Sequence, residues 1–340
     1  MKENIYTIIK FVFFLSIGIL IFWWVYKDQN VGGIVDALKE ANYFWIGVSL
    51  FLSILSHFSR AVRWQLLIES LGHKVRIINV FFAVLVMYIS NMAIPRSGEI
   101  TRCSIIKKYE KVSLSKLLGT VVIERTFDFI MLFILLIVVL LTQYNVVLEF
   151  IHNNPGVEQK VSSILQIKYL IVFLIIIAIT LASAYFFRKK FKKSLIYIKI
   201  SELAKNFISG IDTVRKMDKK WSFIFHSVFI WVMYFSMIYV TFWSFKFTEH
   251  LSLLSGLTVF VMASFGMVAP SPGGIGTWHF MTIETLAIYG IAKIPDANAF
   301  ALAAHGAMNL FLLIVGVIAL ILLPVVNNKS TKVVETKQVF

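Results

Sequence analysis

Met92-Ala93-Ile94-Pro95-Arg96-Ser97-Gly98-Glu99-Ile100 aligns without a gap to Met267-Val268-Ala269-Pro270-Ser271-Pro272-Gly273-Gly274-Ile275, and four of the nine positions are identical. Each stretch interrupts an apolar run. Proline has no backbone N–H and clashes with the preceding helical turn. Glycine tolerates backbone shapes that a helix does not use. Both runs therefore break at these points, and the fold depends on where the flanking segments lie.

Composition places those segments in a membrane. Hydrophobic residues make up 59% of the 340-residue chain and charged residues only 15%, against about 45–50% and 25% in ordinary globular proteins. The mean hydropathy is +0.81. The candidate apolar segments are Ile5–Tyr26, Tyr43–Ser59, Ile77–Ile94, Leu117–Thr142, Tyr169–Phe187, Trp221–Phe245, Leu253–Ala269, Thr277–Ile291 and Ala299–Leu323. Ile5–Tyr26 reads as a first span, because it is long for a signal-peptide core and no small-x-small cleavage site follows. The single cysteine, Cys103, excludes an intramolecular disulfide and a cysteine metal cage. No metal site or cofactor is expected.

The net charge of +15 would suggest nucleic acid in a soluble protein. Here the cations cluster between apolar runs, as the positive-inside rule requires of cytoplasmic loops. Residues 60–76, 95–116 and 188–220 are strongly basic; 143–168, 246–252 and 292–298 are nearly neutral. Ile77–Ile94 is thus flanked by two positive loops. It is expected to enter from the cytoplasm, break at Pro95 and return through Ile100–Lys116 as a re-entrant hairpin. Such a break needs burial in protein or a wet cavity. Leu253–Ala269 and Thr277–Ile291 form the corresponding hairpin from the other side.

Each half then reads span, span, hairpin, span, in opposite orientations. Paired broken segments of this kind mark inverted-repeat transporters. The expected fold is an all-α, polytopic helix bundle with two inverted-topology repeats, about residues 5–142 and 169–323. Both termini are cytoplasmic within a membrane domain of residues 1–326. Within 188–220, Ile196, Ile200, Leu203, Phe207, Ile211 and Val214 recur at helical spacing between cations. This predicts a basic amphipathic helix on the inner leaflet. Residues 327–340 read as a polar, disordered tail.

Charges inside a bilayer persist where they are paired or functional. Glu124 and Asp128 lie one turn apart, and Arg125 is three residues from Asp128. Two readings stand for them: an ion pair holding the helix to the bundle, or a substrate- or proton-handling site. At the first tip, Arg96, Gly98, Glu99 and Arg102 combine free backbone donors with two guanidiniums suited to phosphate; anchoring to the cytoplasmic face is the alternative. Arg60, Arg63 and Trp64 read as interface anchors. In the second half, Gly273, Gly274 and Gly276 allow close approach to a ligand. His279, His305 and Asn309 supply polar groups, as relay or as interhelical hydrogen bonders. His305 is expected to face the carboxylates. No Walker loop, His-Glu-x-x-His, Gly-x-Ser-x-Gly, Rossmann fingerprint or Asp-x-Asp occurs.

Four motifs in order carry a resemblance: Arg60-Ala-Val-Arg63-Trp64…Gly72, Asn91-x3-Pro95-x2-Gly98-Glu99-x2-Arg102, Glu124-Arg125-x2-Asp128, and Pro270-x-Pro272-Gly273-Gly274-Ile275-Gly276. Over about residues 5–323 the chain resembles the flippase-like transmembrane domain of lysylphosphatidylglycerol synthases and its stand-alone relatives. The resemblance implies a transporter moving a modified lipid between leaflets of a bacterial-type cytoplasmic membrane. No synthase domain is expected here, so membrane lipids, and a separate lipid-synthesising enzyme, are the partners the resemblance implies; a homo-oligomer is compatible with it. Many members carry Glu where this chain has His279, which argues against a cationic aminoacyl headgroup. A lipid-modifying transferase using Glu99 or Glu124 as base, or a non-transporting scaffold, are the rival readings.

Overall fold

The computed structural model describes residues 31–94, 96–154, 210–269 and 271–337. The expected spans Ile5–Tyr26 and Tyr169–Phe187, residues 188–209 of the basic segment, residues 155–168 of the connecting loop, and Pro95 and Pro270 themselves lie outside them. Every regular element among the described residues is helical: α1 Val31–Lys39, α2 Tyr43–Ser70, α3 Ile77–Ala93, α4 Gly98–Glu110, α5 Leu114–Thr142, α6 Tyr144–His152, α7 Lys220–Phe242, α8 Leu253–Val268, α9 Thr277–Ile288 and α10 Asn298–Lys337. Short turns at Pro272–Gly274 and Lys293–Ala297 precede the last two.

Four segments are long and apolar enough to cross a membrane: Tyr43–Ser70, Leu114–Thr142, Lys220–Phe242 and Lys293–Asn328. By contrast, α3 has 17 residues and α8 has 16, short of the roughly 20 that a helix needs to span. The described order is therefore long, short, short, long in each half.

Both breaks are closed by local chemistry. At the first, the Gly98 N–H donates to the Asn91 side-chain oxygen at 2.8 Å, and the Ser97 hydroxyl donates to Ser90 and Ile94 carbonyls at 2.8 Å. A Cβ on Gly98 would fall on Met87 and on the Asn91 amide, so only glycine lets α4 lie against α3. Arg96 sits between them with φ +62°. At the second break, the Thr277 hydroxyl reaches the Gly266 carbonyl at 2.7 Å and Ser271 at 2.8 Å. A Cβ on Gly266 would meet Thr277 at 2.7 Å.

The halves interlock. α2 and α7 run antiparallel along their length: the Ser49 hydroxyl donates to the Met237 carbonyl at 3.1 Å, and Ser59 meets His226 at 2.8 Å. α3 packs on α10 of the other half, and α8 packs on α5. Gly316 accepts Ile89 and the Leu85 carbonyl at close range. One apolar core, including Trp64, Leu67, Val84, Met87, Leu117 and Phe223, holds α2–α5 and the start of α7 together; a second, including Phe242, Phe260, Leu286 and Phe300, draws on α7–α10.

One expectation differs from the described helix. Residues 327–337 continue α10 as helix. No Gly or Pro follows Pro324 before Lys337, and Asn327 is tied to Asn79 by reciprocal amide bonds of 2.9 and 3.0 Å. In the described end of the basic segment, Val214 and Met217 are buried in the first core, while Ile211 is exposed.

Candidate functional site

α2, α4 and α5 bring five charged groups together in the first half. Arg63 Nη2 contacts Glu124 Oε1 at 2.9 Å, and its Nη1 contacts Asp128 Oδ1 at 2.8 Å. Arg102, from α4, reaches the other Glu124 oxygen at 2.8 Å. Arg60 lies 3.8 Å from both carboxylates. The side chains of Arg63, Arg102 and Glu124 have no exposed surface. Glu124 and Asp128 share a face because they are one turn apart, and Arg60 and Arg63 share the facing one.

Among the described residues, three guanidiniums thus face two carboxylates, leaving one net positive charge. At the rim, half-exposed Arg125 pairs with Glu99 at 3.0 Å and with Asp128 at 3.4 Å; this added pair changes no net charge. Trp64 forms the floor, with its ring 4.4 Å from the Arg102 guanidinium and its indole N–H donating to Thr120 at 2.8 Å. Among the described residues, Arg60 Nε, Arg63 Nε, Arg102 Nε and Nη1, and Glu99 Oε2 are buried with no hydrogen-bond partner. Buried polar atoms in native proteins are normally satisfied by protein, water or ligand.

The two breaks meet each other. Arg96 donates across to the Val268 carbonyl at 3.1 Å. A Cβ on Gly273 would lie 3.4 Å from Met92 and 3.5 Å from Asn309. Behind the second break, Trp278 and His305 stack at 4.7 Å with an 11° tilt, and His279 meets His305 edge-on at 4.9 Å. Asn309 lies 3.2 Å from the His305 ring, and the Gly276 N–H donates to His279 at 3.4 Å.

A family model described as the lysylphosphatidylglycerol synthase TM region matches residues 8–316. The chain belongs to this family. The UPF0104 membrane protein MJ1595 of Methanocaldococcus jannaschii is 28% identical over 130 residues, covering 37% of this chain and 36% of that protein. The match thus spans about a third of the relative's length. No solved structure matches. The chain is a multi-pass helical membrane protein of the lysylphosphatidylglycerol synthase transmembrane family.

Sequence reasoning about this family member went astray at two places. Arg60, Arg63 and Trp64 are not interface anchors: all three are buried, and the arginines are the counter-ions of Glu124 and Asp128. α2 continues to Ser70 instead of ending at Ser59, so these residues sit inside the bundle rather than beyond the apolar run. Nor does His305 face the carboxylates; its neighbours are Trp278, His279 and Asn309. Arg102, read as a phosphate ligand, spends one nitrogen on Glu124. Arg96 is exposed at the meeting point of the breaks.

Other residues were missed. His57 is buried between Ser53, 3.1 Å from its Nε2, and the Tyr88 ring, at 4.4 Å. The Tyr88 and Tyr234 hydroxyls are 3.4 Å apart, and Arg60 lies over the Tyr234 ring at 5.9 Å. A His and a Ser one turn apart within the run Tyr43–Ser59 were the available signal; the tyrosines carried none.

Proposed function

We propose that this protein moves a lipid with an anionic headgroup between the leaflets of a bacterial-type cytoplasmic membrane. In this reading, α3–α4 and α8–α9 are re-entrant hairpins entering from opposite sides, and the two halves are inverted repeats with both termini cytoplasmic. Headgroup phosphate binds at the arginine cluster while the tails stay in lipid. The observation that carries the reading is the buried cluster's single excess positive charge among the described residues, with unpartnered guanidinium nitrogens, one of its arginines standing on the helix that follows the first break. An uncompensated charge at this depth is costly. A monoanionic phosphate relieves that cost and fills the open donors bidentately.

The interlocked packing of each short helix pair on the last helix of the other half supports the repeat. It also lets rocking of one half open one face while closing the other. Membrane lipids are the partner this reading requires, and a lipid-synthesising enzyme is the natural supplier.

The test is leaflet exchange of a fluorescent anionic lipid in liposomes containing the purified protein, Arg96→Ala or Glu124→Gln, matched for insertion. Exchange by the native protein and its loss in both variants supports transport through this site. Full exchange in both variants refutes the site; no exchange by the native protein across anionic lipids refutes transport.

A further inference from the structure

Resting on that transport reading, we infer that His57 is a proton-binding site linked to the carried anion, so that the two bind together. His57 is 2% exposed. Its Nε2 lies 3.1 Å from the Ser53 hydroxyl, and its Nδ1 has no hydrogen-bond partner among the described residues. Four helices meet at this ring. α2 carries His57 with Ser53 one turn before it and Arg60 one turn after it. α3 supplies the Tyr88 ring at 4.4 Å, and α7 the Tyr234 ring at 6.4 Å. α10 supplies Met308, whose sulfur accepts from the Ser53 hydroxyl at 3.1 Å. Two of these helices belong to each half of the chain.

Arg60 joins His57 to the charge cluster. Its guanidinium lies over the Tyr234 ring at 5.9 Å and 3.8 Å from both Glu124 and Asp128, and its charge acts on His57 directly. Among the described residues the cluster already holds one excess positive charge. A proton on His57 makes two, both buried, which the membrane interior penalises. One bound monoanionic phosphate cancels the first, and the same proton then restores only one. Anion and proton thus each favour the binding of the other. The remaining groups around the cluster are worse placed. A proton on Glu124 or Asp128 takes the counter-charge from an arginine. His226 of α7 interacts with Arg63, but Ser59 holds its Nδ1 at 2.8 Å and it is only half-buried. The Tyr88 and Tyr234 hydroxyls, 3.4 Å apart, lose protons instead of gaining them. Protonated His57 has a second N–H with no acceptor in this arrangement. A shift of either tyrosine hydroxyl toward it supplies one, so the proton bears on how the two halves pack.

The test adds water-soluble dihexanoylphosphatidylglycerol to the full chain in weakly buffered detergent micelles. Calorimetry reads binding, a pH-indicator dye reads proton uptake, and dihexanoylphosphatidylcholine, which has no net charge, is the blank. Binding of the anionic lipid is expected to take up as much as about one proton per lipid between about pH 5 and 8. Because the bound state holds the extra proton, affinity is expected to rise as pH falls, by as much as about tenfold per pH unit. His57→Gln is expected to bind the lipid with neither the uptake nor the pH dependence, whereas His226→Gln keeps both. Nitrogen-15 histidine spectra of the native chain are the companion should His57→Gln fail to insert. They are expected to show one new imidazolium on lipid addition, in contact with a tyrosine ring as Tyr88 requires. Binding without proton uptake overturns the inference and leaves the anion site standing, as does uptake that survives His57→Gln and is lost in His226→Gln. No binding of the anionic lipid refutes the transport reading and the inference with it.

Discussion

Glu124→Gln is the sharpest perturbation of the charge cluster. Each Glu124 oxygen receives a different guanidinium, Arg63 at 2.9 Å on Oε1 and Arg102 at 2.8 Å on Oε2, with Arg60 at 3.8 Å. Glutamine keeps the shape but has one acceptor oxygen; its amide nitrogen must face the second guanidinium, donor against donor. The cluster's excess rises from one positive charge to two. At an effective dielectric of about 20, each contact of about 3–4 Å is worth roughly 4–6 kcal/mol of attraction. Desolvation of the ions offsets several kcal/mol of that, so breaking the buried arrangement is expected to cost about 3–5 kcal/mol. Equilibrium unfolding in mixed micelles measures it. Adding Arg102→Gln removes one of the cations left without its partner. The double variant is therefore expected to be less destabilised than the sum of the singles, by about 0.5–3 kcal/mol. A Glu124→Gln cost below about 1 kcal/mol, the range of exposed pairs, or strict additivity with Arg102→Gln, refutes a buried, mutually compensating cluster.

Asp128→Asn is expected to cost less than Glu124→Gln in the same assay, since Asp128 keeps 12% exposure and water can reach it. Gly98→Ala drives a Cβ onto Met87 and Asn91, whereas Gly47 has nothing within 4 Å; the first is expected to lose about 2 kcal/mol or more through overpacking and the second to be neutral or stabilising, read as midpoint shifts against wild type. Arg96→Gly relieves a left-handed backbone (φ +62°) while removing the guanidinium at the junction, so exchange is expected to fall with no loss of thermal stability. Asn327→Leu leaves buried Asn79 without its reciprocal amide partner and is expected to lower stability by about 1–3 kcal/mol, checked in the mixed-micelle series.

The helices were largely legible because their signals are local. Run length and polarity predict α3 and α8 as short, apolar segments, and the Pro and Gly residues around 95 and 270 predict where the chain turns. The roles of Asn91 and Gly98 are also local, acting across one tight turn. Boundaries were less legible: α2 runs eleven residues past Ser59 to Ser70, because Arg60 and Arg63 ended the apolar run on paper. Their charge is neutralised by residues more than sixty positions away, so a helix can carry them inward.

That pairing is what only the tertiary structure decided. Sequence by itself determined an all-helical membrane chain, two related breaks, and a set of charges that a bilayer would not leave alone. A cation at the end of an apolar run reads as an interface anchor unless its counter-ion is known, and the counter-ions sit on α5 and the third arginine on α4. Packing α2 between α3, α5 and α7 makes Arg63 and Trp64 interior; the same packing sets Arg102 on Glu124 and leaves one positive charge over. Local sequence signals extend a few residues, while net charge in a buried site depends on which helices meet. The excess charge on which the proposed headgroup recognition rests is therefore a property of the fold.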